Sequence, residues 1–404
     1  MTIEGNTIYK NLITRILRKM PAINKWRQDF LIETFLLFLS IKGRINFLQL
    51  GRYGEYTEQR YRQQFELPFD FLSFNKELVM ENGSGSYVIA IDPTFISKSG
   101  KKTPGFGKFW SGQASSVKDG LELVGIATID IDNHTAFHLD APQTMPRANQ
   151  TLPEIYAEML ISRKEQLFAL SSVVVADAYF SKKAFVNPLL KNEFMLVGRL
   201  RKDANLLYIN KEKSTGKRGR PKKYAGKVDP KNINKDYLEL VPSTDLETTL
   251  CTAIVYSKSF KREIRIVIMK KTNDTHGTPK IYFCTDTQMA AGRIIQYYKS
   301  RFQIEFLYRD AKQHTGLNHC QARSENKLNF HFNTALTVLN LAKATHWLKI
   351  PKEDRRSFSM NDVKTINHNT LLINRFLVKF GIDPNSTKNQ SNINDLIYYG
   401  TIAA

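Results

Sequence analysis

Two stretches of this chain are apolar without interruption, and each ends on an aspartate: Tyr87-Val-Ile-Ala-Ile-Asp92 and Val173-Val-Val-Ala-Asp177. A strand with one wet face alternates apolar and polar residues. A run that does not alternate, and that is rich in β-branched side chains, belongs to a strand covered on both faces. The chain is therefore expected to build a sheet between helices rather than a one-sided meander. At the ends of such strands an open α/β sheet forms the crevice where ligands bind, and an ionised carboxylate there needs a counter-charge or a metal. Taken singly, an aspartate at a strand end is also an ordinary cap or turn residue.

The pattern around these runs divides the chain. Residues 1–80 carry apolar positions three and four apart, through Ile8, Leu12, Ile13, Ile16 and Leu17 and again from Phe30 to Leu39, which predicts helices. The basic and aromatic segment Lys42–Phe74, with Gly43, Gly51 and Gly54, is compatible with a helix-turn-helix that reads duplex DNA, and equally with a small helical bundle. Strands are expected at Leu121–Asp130 and Thr135–Asp140, joined through Asp132-Asn133, and at Phe194–Leu200. Helices are expected at Pro153–Leu167 and Lys182–Lys191. Strands at Thr249–Ser257, Glu263–Lys271 and Lys280–Thr285 make residues 201–287 a β-rich insertion, and helices resume near Met289. The fold class expected is α/β, a mixed sheet flanked by helices. Its core would occupy 81–200 and 288–350, behind a helical N-terminal domain. The Asn-rich tail, 351–404, gives weak structure signals.

Charge bounds the partner. Lys and Arg number 59 against 38 acids, a formal net charge of +21, which predicts a polyanionic partner. Between Arg199 and Lys227 stand eleven cations and two acids, Asp203 and Glu212. Within this block Lys217-Arg218-Gly-Arg220-Pro-Lys222-Lys223 contains the Gly-Arg-Pro core of an AT-hook, which lays arginines into the minor groove of A·T-rich DNA. A loop gripping phosphates without sequence preference has the same composition, and both predict salt-sensitive DNA binding. Cys251, Cys284 and Cys320 form no disulfide or zinc pattern. The apolar stretch Phe30–Ile41 is shorter than the roughly 20 residues that span a bilayer. These features predict an intracellular protein with no membrane role.

A second cluster lies in the last third. Tyr298, Arg301, Glu305 and Lys312 stand three, four and seven residues apart. On one continuous helix at about 100° per residue, the last three fall near −60°, −20° and −40° from Tyr298, a single face. A tyrosine, two cations and a carboxylate aimed together make a phosphate-and-metal site if other carboxylates reach it. The alternative for Glu305 is a surface pair with Arg301. Asp92, Asp177 and Glu305 converging on one point would repel without divalent cations. Mg²⁺ suits the demand, being hard, oxygen-seeking and content with one or two carboxylates. Two such ions, roughly 3.5 to 4 Å apart, stabilise both oxygens of an in-line displacement at phosphorus.

The spacing Tyr298-x2-Arg301-x3-Glu305-x6-Lys312 resembles the Y-R-E-K signature of IS4-type transposases. Ile91-Asp-Pro-Thr94 and Val175-Ala-Asp-Ala-Tyr-Phe180 resemble the family's other two acidic motifs, and the resemblance runs through about residues 86–345. It implies an RNase H-like core in which Asp92, Asp177 and Glu305 are the catalytic residues and hold two Mg²⁺, with Mn²⁺ able to substitute. It also implies that Tyr298, Arg301 and Lys312 contact terminal DNA phosphates. The expected partners are double-stranded DNA, as terminal inverted repeats and target, and a second protomer in the DNA complex. The expected setting is the bacterial nucleoid in the cytoplasm. Some members clamp a flipped base with an aromatic residue. Trp110 stands near the first motif, but a core tryptophan is the simpler reading. His314, His319 and His331 carry no zinc spacing and are expected to be structural. The rivals are a noncatalytic DNA-binding regulator and a cellular nuclease that cuts without joining.

Overall fold

The structure is a computed structural model that describes residues 4–211, 222–242, 247–271, 279–384 and 386–402. Five helices come first: α1 (Glu4–Leu17), α2 (Lys25–Ser40), α3 (Phe47–Tyr53), α4 (Glu58–Gln64) and α5 (Phe71–Asn82). Then follow β1 (Tyr87–Ser97), β2 (Gly107–Ser111), β3 (Ser116–Asp130), β4 (Thr135–Asp140), α6 (Leu152–Ile161), α7 (Lys164–Phe168), β5 (Val173–Val175), α8 (Lys183–Lys191) and β6 (Met195–Leu200). Strands β7 (Leu206–Ile209), β8 (Tyr224–Lys227), β9 (Glu239–Val241), β10 (Thr248–Ser257), β11 (Arg262–Lys271) and β12 (Lys280–Cys284) come next. The chain closes with α9 (Ala291–Ser300), α10 (Gln303–His314), α11 (Glu325–Ala342), α12 (Met360–Phe380) and α13 (Thr387–Tyr398). The expected class stands: a mixed, mostly antiparallel α/β arrangement.

The chain folds as two compact units, and β1 belongs to both. One unit comprises 87–92 and 146–303, the other 1–86, 93–145 and 304–404. In the first, the first half of β1 pairs in parallel with β5, and β5 in parallel with β6. β12 pairs antiparallel with β6, and β11, β10, β7 and β8 follow in that order. The strands of the 201–287 region thus continue the pairing outward from β6. The apolar runs of β1 and β5 are buried, as their composition requires. Helix α9 packs over β6, β12 and β11, and α8 packs on β6.

In the other unit, β3 pairs antiparallel with β2 and with β4, and the β3–β4 hairpin brings Asp130 opposite Thr135. Helices α5 and α11 cover β4. A buried polar network fixes that packing: Asn75 Nδ2 donates to Leu139 O and Thr337 Oγ1, and Asn340 Nδ2 donates to Asn75 Oδ1 and His138 O. Such a network is stable only when every member is paired, so it sets the register of α11 as well as holding it. Phe30, Phe65 and Phe330 form an aromatic core between α2, α4 and α11. At Gly51 a Cβ would stand 2.8 Å from Glu58 N, so glycine lets α3 and α4 approach. His331 Nε2 bonds Gly316 O, and His319 Nδ1 accepts from Ile45 N–H, both within this core.

Three expectations are corrected. The tail is helical: α12 runs 21 residues from an N-cap at Ser359 to the left-handed Gly381, and α13 folds back on it. Tyr298 to Lys312 is not one helix, because α9 closes at Arg301, whose N–H reaches back three residues to Tyr298 O, and α10 starts at Gln303. Trp110 is not a core residue; it lies on β2 and is 61% exposed. Among the described residues no helix is long and apolar enough to cross a membrane.

Candidate active site

Register places the first two aspartates. Ile89 pairs with Val174 and Ala90 with Val175, an offset of 85 residues that, continued two residues past the end of β5, brings Asp92 and Asp177 side by side. Parallel strands lie about 4.8 Å apart and residues level with one another point to the same face, so two carboxylates share one small region. Asp92 does not end its strand, since β1 continues to Ser97. Asp177 lies two residues past β5, and its Oδ1 caps a 3-10 turn by accepting from Tyr179 N–H at 2.9 Å. The capping role weighed for strand-end aspartates is thus present, and it occupies one carboxylate oxygen.

Cations and a phenol come from α9 and β6. Arg301 Nη1 stands 3.9 Å from Asp92 Oδ1, and both side chains are largely buried. One turn earlier, the Tyr298 ring packs on Tyr282 of β12 with centroids 4.7 Å apart. Tyr282 is level with Arg199 of β6, and the Arg199 guanidinium donates to the Tyr298 hydroxyl. Burial raises the pKa of Tyr298; the charge of Asp177 adds to this, while Arg301 and Arg199 work against it. Tyr298 is therefore a protonated hydrogen-bond donor at neutral pH. Asp92, Asp177, Arg199, Tyr298 and Arg301 make one polar cluster in a single unit.

Arg199 was counted in sequence only as the first cation of the basic block. The signal that distinguishes it is its place: a lone charge inside the apolar strand Met195-Leu-Val-Gly-Arg-Leu200, held by Ser181 Oγ, which donates to Arg199 O at 2.7 Å.

Glu305 and Lys312 belong to the other unit, on α10. Lys312 Nζ donates to Thr94 Oγ1 at 2.7 Å and to Phe95 O at 3.3 Å, on the second half of β1. Tyr308 holds the helix on β3. Its hydroxyl fills the space above Gly125, where a Cβ would lie 1.9 Å from that oxygen. Glu305 is in the first turn of this anchored helix. Lys222 and Lys223 lead into β8, and Lys223 Nζ sits 5.6 and 5.7 Å from the ring centres of Tyr224 and Tyr256. Lys217, Arg218 and Arg220 lie outside the described residues.

Among the described residues no group of three or more His, Cys, Asp or Glu is gathered to hold a metal ion. The level pair of Asp92 and Asp177 is a two-carboxylate, all-oxygen donor set. That set fits Mg²⁺, which is commonly bound through one or two carboxylates with water and substrate phosphate completing the shell.

The sequence model of the Transposase DDE domain matches residues 83–341. The chain belongs to this family. The match holds Asp92, Asp177, Arg199, Tyr298, Arg301, Glu305 and Lys312, and it ends before α12 and α13. No curated protein matches the chain. Membership makes the protein a transposase, with DNA as its substrate.

Proposed function

We propose that this transposase is of the IS4 type and serves an insertion sequence, cutting DNA at the element's ends and joining the freed 3′-hydroxyl to a target. The observation that carries the reading is the level placement of Asp92 and Asp177 with Arg301 beside the first. Asp92, Asp177 and Glu305 would hold two Mg²⁺ ions. Bound there, the ions would supply Lewis-acid charge at the reacting phosphate and lower the pKa of the attacking water or hydroxyl.

The chain's own residues do the rest. Arg301 lies against Asp92 and limits the repulsion between the two aspartates before DNA arrives. Tyr298, kept protonated, and Arg199 present O–H and N–H donors for phosphate oxygens. Lys312 is held at β1 by Thr94 and adds a further cation. Lys217, Arg218, Arg220, Lys222 and Lys223 add sequence-independent grip on the DNA backbone, and two protomers bridge two ends.

Supercoiled DNA bearing the element's ends, incubated with Mg²⁺ and the wild-type chain, should yield cut ends and joined product. Asp92→Ala, Asp177→Ala and Glu305→Ala should each abolish both. Unchanged cleavage in any of the three removes that residue from the site, and cutting without joining favours the nuclease.

A further inference from the structure

Two lysines tie the helix that carries Glu305 to the second half of β1. Helix α10 has 12 residues, a length at which a helix is marginal on its own, so its place depends on what it touches. Lys312, in its last turn, donates from Nζ to Thr94 Oγ1 at 2.7 Å and to Phe95 O at 3.3 Å. Lys98, the first residue past β1, runs the other way. Its Nζ donates to Cys320 O at 2.8 Å and to Ala322 O at 2.9 Å, both in the chain that follows α10. One tie leaves a helix free to swing about it; two ties, one on the helix and one beyond its end, do not.

The face that is tied is the face that matters. Lys312 lies seven residues after Glu305, which is about two turns and returns the side chain to within about 20° of the same direction. Glu305 therefore stands on the face of α10 that Lys312 turns to β1, nearer the start of the helix. The resemblance gives Lys312 a terminal DNA phosphate. Here Thr94 is buried, and two of the three ammonium donors are spent inside the protein.

We propose that Lys98 and Lys312 are positioning residues, bracing α10 on β1 so that Glu305 is held where it can ligate the metal. This rests on the reading of Glu305 as a metal ligand, and it gives Lys312 a task other than gripping a phosphate. Loss of a residue that orients a metal ligand typically weakens metal binding or activity by about 10- to 100-fold.

The test compares the full chain with Lys98→Met, Lys312→Met and Thr94→Val, the last of which removes the acceptor hydroxyl and keeps the Lys312 charge. Each should raise the Mg²⁺ concentration for half-maximal cleavage of DNA bearing the element's ends by about tenfold. Each should also shrink the rise in melting temperature that Mn²⁺ produces in the DNA-free protein, while the salt dependence of end binding stays as in wild type. Lys98→Arg, which keeps a cation with donors for both carbonyls, should restore the wild-type Mg²⁺ requirement. A phosphate contact predicts the opposite pattern: Lys312→Met would lower the slope of log K against log salt by about 1, and Thr94→Val would be silent. That pattern overturns the proposal, as do variants that melt lower yet need no more Mg²⁺, having lost stability alone. Glu305→Ala separates the two readings. If it abolishes the Mn²⁺ gain while the three variants keep it, the brace fails and the metal site stands; if it keeps the gain, the metal site fails and the brace with it.

Discussion

Replacing Asp177 by Asn in the metal-free protein should stabilise it. Asp92 lies on β1 and Asp177 two residues past β5, and the parallel register of these strands, about 4.8 Å apart, carries the two aspartates out side by side. At an effective dielectric of 20 to 80, two unit charges at that distance repel by about 0.9–3.5 kcal/mol. Arg301 and Arg199, which share the surroundings of Tyr298 with Asp177, attract it and offset part of this, which leaves a net relief of about 1 kcal/mol. Asparagine keeps the acceptor oxygen that caps Tyr179 N–H, so the turn after β5 is retained and the charge alone is removed. Scanning calorimetry without divalent ions should show a rise of about 2–4 °C for a unit of this size. Adding Mg²⁺ or Mn²⁺ should then reverse the order. Wild type gains stability as RT ln(1 + [L]/Kd), about 2.7 kcal/mol at a hundredfold excess over Kd, and the variant gains much less. A metal-free variant that melts lower than wild type, or one that keeps the full metal-induced gain, would refute the claim that these carboxylates crowd one cation site.

Arg199→Ala should lower DNA affinity by about tenfold and reduce the slope of log K against log salt by about 1, as expected for one lost phosphate contact; an unchanged slope removes Arg199 from the DNA surface. Gly125→Ala should cost about 1–3 kcal/mol in denaturant unfolding by driving a methyl group into Tyr308. Adding Tyr308→Phe should recover only part, because the ring carbon beneath the hydroxyl would still lie 2.7 Å from the new Cβ. Lys364, buried in α12 with its Nζ on Phe38 O, has its pKa pushed down to about 7 by burial. The unfolded chain therefore binds the proton that the folded chain lacks between about pH 7 and pH 10.5, and in this window stability rises with pH by up to about 1.4 kcal/mol per unit. Lys364→Met should flatten this slope in urea unfolding at pH 7.5 to 10, and an unaltered slope would show that Lys364 is charged in the folded chain.

Much of the unit that carries Asp92 and Asp177 was legible because its signals are local. Unbroken β-branched runs mark buried strands whatever surrounds them, and an aspartate closing each run marked where charge would meet the sheet. The level placement of Asp92 and Asp177 follows from strand pairing, which no local pattern gives. The break between α9 and α10 left no mark, because Ser300-Arg-Phe-Gln303 contains neither Gly nor Pro. Extrapolating about 100° per residue across it placed four side chains on one rod that the chain divides. The last two helices were hidden for a different reason. Much of the buried face of α12 is polar, with Lys364 bonding Phe38 O, Asn367 bonding Val363 O and Thr370 bonding Ile366 O, so the usual apolar period is weak. Trp110 shows the limit of residue type as a guide, since an edge-strand tryptophan can lie outside the core.

The most direct measurement supplies the chain with Mg²⁺, a pre-cut DNA end carrying a labelled 3′-hydroxyl, and an unlabelled plasmid. The proposed transposase should transfer the label covalently into the plasmid, and Asp92→Asn, Asp177→Asn and Glu305→Gln should each eliminate that product while still binding the end. Transfer that survives loss of these carboxylates, or plasmid nicking with no label joined, would contradict the account.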